Sequence, residues 1–115
     1  MIDVNKKIVD TLKPLEAEGV PVRCLKYSGD KKKYVTFFIY SEKESEFEDD
    51  NAKLFESYIQ VDIWSNGNYK ELAKKVVKLM KSAGFIRRAS GMESYEEESQ
   101  VYHKAIRFYF AEVIF

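Results

Sequence analysis

Residues 58–64 (YIQVDIW) alternate strictly, with Ile59, Val61 and Ile63 on one side and Tyr58, Gln60, Asp62 and Trp64 on the other. A period of two over such a run marks a half-buried strand. Ser65-Asn66-Gly67 breaks the alternation, and Asn68 is placed to cap a helix with Glu71 as its reciprocal partner. Leu72, Val76, Leu79 and Met80 then recur at helical spacing, and Gly84 is the stop. The same reading predicts a first helix over residues 3–18. There Asp3 is the cap, Val4, Ile8, Leu12 and Leu15 share one face, and Pro14 should kink or shorten the helix.

Residues 22–27 (VRCLKY) and 34–40 (YVTFFIY) read as strands, the second rich in β-branched and aromatic residues. Val35, Phe37 and Ile39 should face the core. Residues 85–90 predict a short strand and 101–115 a last one, with Ile106, Phe108 and Phe110 opposite Arg107, Tyr109 and Ala111; these two should pair as an antiparallel hairpin. Residues 41–56 carry seven acidic and two basic residues and read as a long mobile loop, and 91–100 as a second acidic loop. The element order predicts an α+β fold, a single mostly antiparallel sheet with two helices packed on one face. The other face would carry Tyr34, Phe38, Tyr40, Tyr58, Trp64 and Tyr109, more aromatic surface than a solvated face accepts, so the acidic loop or another subunit should cover it.

Composition narrows the function classes. The chain has 115 residues, suited to one domain over 1–115, and 45% are hydrophobic, enough for a folded core. Nineteen basic and nineteen acidic residues cancel, unlike the clear basic excess of a general nucleic-acid binder. The single cysteine, Cys24, excludes an internal disulfide and reads as a small half-buried strand residue. No apolar run approaches the ~20 residues that cross a bilayer. The N-terminus lacks the pattern of a signal peptide.

Candidate chemistry is sparse. His103 is the sole histidine and reads as a surface or interface residue, because a zinc site needs about four His or Cys ligands. The clusters Glu46-Glu48-Asp49-Asp50 and Glu93-Glu96-Glu97-Glu98 lack the spacing of a calcium loop and suit solvated charge or a basic partner. No glycine-rich phosphate loop occurs. The sequence thus points to no catalytic residue, no metal ligand and no cofactor. Positive charge is also clustered: Lys70, Lys74, Lys78 and Lys81 share the helix face opposite Leu72 and Val76, and Lys31–Lys33 form a separate knot. Opposite charge patches on one neutral chain suit head-to-tail contact between copies, with the lysine face meeting Glu46, Glu48, Asp49 and Asp50 of a neighbour.

YIQVDIW, the short turn, an amphipathic helix ending in Gly-Phe and the strand VYHKAIRFYFAEV together resemble the tail-terminator and tail-completion proteins of long-tailed bacteriophages and prophages. The N-terminal helix, Gly-Val-Pro and the Tyr-Val-Thr-Phe-Phe strand also fit. The departures are the acidic segments 41–56 and 91–100. The resemblance implies a non-enzymatic virion protein, assembled in the bacterial host cytoplasm into a ring, commonly six copies. That ring sits at the head-proximal end of the tail, ends tube polymerisation and joins tail to head. Its partners would be other copies of itself, the tail tube protein and the head–tail connector protein, with no membrane and with nucleic acid at most passing through the lumen. The alternatives are another connector component, such as a stopper, and a small nucleic-acid-binding α+β domain using Lys31–Lys33 and strand aromatics as a stacking platform.

Overall fold

The computed structural model describes residues 1–46 and 51–115, apart from the side chains of Ser90 and Met92. The first helical segment is two helices, α1 (Val4–Thr11) and α2 (Lys13–Ala17). Asp3 caps α1, its Oδ1 accepting the Lys6 N–H at 3.1 Å. Pro14 lies in the first turn of α2, where its missing N–H would have had no helical partner. The break costs no burial, because Leu12 and Leu15 are both fully inside.

Strands β1 (Val22–Cys24), β2 (Lys33–Glu46) and β3 (Lys53–Ser65) follow, then α3 (Lys70–Ser82), β4 (Ile86–Glu96) and β5 (Val101–Ile114). They form one five-stranded sheet in the order β1-β2-β3-β5-β4, antiparallel except where β1 runs parallel to β2. The expected α+β class and its mostly antiparallel sheet are therefore the observed ones.

The core lies between the helices and one sheet face. Val35 and Phe37 of β2, Ile59, Val61 and Ile63 of β3, and Ile106 and Phe108 of β5 meet Val4, Ile8, Leu12, Leu15, Leu72, Val76 and Met80. Register explains the match: Val35 pairs with Ile63, Phe37 with Val61, Val61 with Ile106, and Ile59 with Phe108, so one pleat face is apolar across three strands. Leu79 and Phe110 pack at the rim, only partly buried. Gly84 closes α3 with φ +95, a conformation that favours glycine. Asn68 Oδ1 accepts the Lys70 N–H at 2.9 Å, while Glu71 faces Lys74 at 3.7 Å instead of returning to Asn68.

Three expectations are corrected. Residues 41–46 and 53–56 are strand, the outer halves of β2 and β3, paired from Ser41–Tyr58 to Glu46–Lys53 beyond a register shift between Ile39 and Ser41. With 109–114 of β5 on the other side, they build a three-stranded arm and a long axis of 53 Å. The polar run SEKESE hides this strand, because this half of β2 offers no apolar residue to a period-of-two reading. Backbone pairing with β3 holds it, helped by Lys53 between Glu44 at 3.5 Å and Glu46 at 4.0 Å. The second acidic segment is likewise mostly strand: β4 runs on to Glu96, and only residues 97–100 make the turn into β5. Cys24 is exposed, not half-buried, at the end of a three-residue edge strand that stops where Leu25 turns left-handed at φ 71.

Candidate interaction surfaces

The sheet face away from the helices carries all six expected aromatics, arranged in two rows. In the first, Tyr34 lies near-parallel to Trp64 at 5.9 Å, and Trp64 stacks on His103 at 4.0 Å with 5° between planes. Tyr27 extends this row from the loop before β2, at 4.6 Å from Tyr34. In the second, Phe38, Tyr40, Tyr58 and Tyr109 follow one another at 5.3–6.5 Å, tilted or edge-on. Among the described residues, neither an acidic loop nor a helix covers these rings. They bury one another, and two arginines lie across the second row. Arg88 sits over Tyr58 and Tyr109, 5.5 and 5.4 Å from the centroids, and Arg107 over Tyr40 at 4.8 Å. Of the expected six, only Tyr40 ranks among the exposed large hydrophobics.

Between the rows the face dips. Thr36 pairs with Asp62 and Asp62 with Ala105, and Gly91 lies against Ala105, where an added Cβ would come within 2.7 Å of the alanine methyl. The result is a groove of about 700 Å³ lined by Tyr40, Gln60, Arg88, Gly91, His103 and Arg107, among others. Its polar floor is internally bonded. Asp62, 5% exposed, takes His103 Nε2 at 2.7 Å and Gln60 Nε2 at 2.9 Å on one carboxylate oxygen. Trp64 Nε1 donates to Thr36 Oγ1 at 3.0 Å, and Arg107 Nε to Gln60 Oε1 at 3.2 Å. His103 is thus a partner of Asp62 and Trp64, a role that sequence separation of 41 residues concealed.

Tyr109 donates its hydroxyl to Glu56, and that bond, reinforced by burial, pushes the phenol pKa from 10.0 up to about 12. A folded-state value above the unfolded one favours the neutral phenol. The stabilisation is therefore complete below pH 10 and is lost as pH rises through about 12. Tyr109→Phe should remove this loss. The check is alkaline titration of tyrosinate absorbance with parallel unfolding curves; identical alkaline profiles for the two proteins would refute it.

The expected lysine face exists. Lys70, Lys74, Lys78 and Lys81 are all exposed on α3. Lys74 pairs with Glu71, and neighbouring Lys75 with Glu18, in solvent. Lys78 and Lys81 have no carboxylate within ion-pair distance among the described residues. Glu46 is exposed near the arm's tip, beside Lys53, whereas Glu48, Asp49 and Asp50 lie outside the described residues. The structure does not bring Glu46 into an ion pair with Lys70, Lys74, Lys78 or Lys81 of its own chain. The other cluster is dispersed along β4 and its turn: Glu93 pairs with Lys104 at 3.3 Å, and Glu96, Glu97 and Glu98 are exposed. The Tyr69 hydroxyl first, and then Lys104, hold the Glu93 carboxyl below its usual value. Among the described residues no three His, Cys, Asp or Glu side chains converge on a metal-sized site, and no helix is long and apolar enough to cross a membrane.

No protein-family model and no curated protein matches the sequence. Among solved structures, the chain is similar to one from the virion of a native gene transfer agent particle. The TM-score is 0.60 at 12% identity, over 89% of this chain and 88% of that one. At that identity the likeness establishes a shared fold.

Proposed function

We propose that the protein is a structural component of a phage-like virion, acting as one domain over residues 1–115. More narrowly, it forms a ring, commonly six copies, at the head-proximal end of a tail tube, ending tube polymerisation and joining tail to head. The observation that carries this reading is the fold shared along nearly the whole of both chains with a chain of a gene transfer agent virion. The split charge supports it: helix α3 of a neutral chain bears the lysines, and the outer half of β2 bears Glu42, Glu44 and Glu46. The work is assembly, not catalysis. The partners are further copies, the tube protein and the connector protein; the place is the virion, after assembly in the host cytoplasm.

Another connector component, such as a stopper, is the runner-up. Adding purified protein to polymerising tube subunits separates the two. A terminator should give tubes capped at one end and of arrested length in electron micrographs; uncapped, still-growing tubes would reject it. A nucleic-acid stacking platform fits less well, because the Trp64 ring is already occupied by Tyr34 and His103.

In this ring the lysine face of one copy meets the acidic arm of the next. Exposed pairs contribute about 0–1 kcal/mol each, so several together set register more than affinity. Replacing Lys78 and Lys81 by Glu should weaken ring formation about tenfold at low salt with unchanged circular dichroism. Equal oligomer mass for wild type and variant across a salt series would remove this contact from the reading.

A further inference from the structure

We propose that the groove on the open sheet face receives the Glu97–Glu98 turn of a second copy, with Arg88 and Arg107 gripping its carboxylates. The inference rests on the ring reading above and names the surfaces that meet.

The groove is built for an anionic segment. Both guanidiniums sit over tyrosine rings, contacts that restrict them before any partner arrives. Neither has a carboxylate within ion-pair distance among the described residues. The neighbouring acids are already engaged, Asp62 by His103 and Glu56 by Tyr109. Arg107 donates its Nε–H to Gln60, and the terminal N–H groups of a guanidinium suit bidentate carboxylate binding. Strand β4 is bent to this end: its register with β5 shifts between Arg87 and Ser90 and again between Ser90 and Glu93, which places Arg88 on the open face. Gly91 keeps the floor low where a side chain would meet Ala105.

The matching anion lies on the same chain. Glu96, Glu97 and Glu98 are consecutive and exposed on the turn between β4 and β5. The turn is short and defined, with Ser99 Oγ donating to Glu96 and Gln100 in the left-handed region at φ 54. It forms the tip of its hairpin and contributes no residue to the lining of its own groove. Groove and turn are different surfaces, so their contact is heterologous and can close a ring. Lys70 stands close enough to Glu93 to act on its charge, so the start of the lysine helix and the acidic turn share one end of the molecule. One neighbour can therefore present its turn to the groove and its helix to the arm.

The test uses full-length chains carrying Cys24→Ser. One chain adds Ala89→Cys in the groove and the other Glu97→Cys on the turn. Mixed and oxidised, they should form an intermolecular disulfide about tenfold faster than Ala89→Cys mixed with the exposed control Lys26→Cys. Neither chain alone should dimerise at that rate, and equal rates with the control overturn the proposal. In a second arm, Arg88→Glu with Arg107→Glu, and separately Glu97→Arg with Glu98→Arg, should each reduce self-association about tenfold. The quadruple variant should recover it. The turn variant changes only exposed residues, so it keeps the test decisive if the groove variant misfolds. Normal self-association of the turn variant, or no recovery in a folded quadruple variant, overturns the contact. Loss of single-stranded DNA binding in the groove variant with the crosslink intact would assign the groove to nucleic acid and also overturn it. If the turn variant still caps tubes as wild type does, the contact falls and the ring stands. If the crosslink forms but wild type caps no tube, the ring falls and the contact stands.

Discussion

Phe108→Ala should lower the unfolding free energy by about 3–5 kcal/mol, the usual cost of removing a buried phenylalanine ring. Phe108 is fully buried on β5, the strand between β3 and β4, directly opposite Ile59 and within the cluster that joins all three helices to the sheet. Its backbone is fixed by two ladders, so the site cannot collapse to fill the space. Small domains hold only about 5–15 kcal/mol in total, so the urea midpoint should fall by a large fraction. Phe110 has the same side chain two residues on, but it is only partly buried and shares its ring contacts with Phe85 and Lys7 at the rim. Phe110→Ala should cost about half as much. Chemical denaturation of both variants is the measurement. Equal losses would mean that the core is centred nearer the arm than the packing indicates.

Asp62→Ala should cost about 1–3 kcal/mol, because it leaves two donors facing the gap of a lost carboxylate. His103 and Gln60 both point at one Asp62 oxygen, and Asp62 is nearly enclosed. The ring of His103 is held between this bond and the indole of Trp64, so its loss should also disturb the indole. Trp64 is the only tryptophan in the chain, which makes its fluorescence a private probe of the site. Asp62→Asn, which keeps an acceptor, should retain most of the stability and the wild-type emission. A double-mutant cycle with His103→Ala should give a coupling of at least about 0.5 kcal/mol. Additive losses would show that His103 and Asp62 merely lie side by side.

The elements that alternate or repeat with a helical period were legible without coordinates. Ile59, Val61 and Ile63, the Leu72–Met80 stripe, the cap at Asp3 and the stop at Gly84 follow from local side-chain chemistry, and each is where that chemistry puts it; at α3 the cap position is Tyr69, and Asn68, one residue earlier, accepts the Lys70 N–H without Glu71 in return. So is the aromatic face, since strand alternation alone assigns Tyr34, Phe38, Tyr58 and Trp64 to one side. The lysine face of α3 was legible for the same reason, whereas its contact with a neighbour's acids lies beyond a single chain.

Tertiary structure decided the rest, and in each case the deciding force acts between residues far apart in the chain. Residues 41–46 and 91–96 have polar sequences with little intrinsic preference for strand. They become strand because an already formed neighbour offers its backbone hydrogen bonds, a gain that no local window contains. His103 and Asp62, Tyr109 and Glu56, and the arginines laid over tyrosines meet only through sheet register. The groove depends further on two shifts in β4 and on Gly91 passing close to Ala105. The sequence by itself therefore determined which segments could bury apolar surface and which side of each would do so. Only the three-dimensional pairing decided how far the strands extend and which polar groups end up facing one another, because hydrogen-bond partners across a sheet are chosen by register and not by neighbours in the chain.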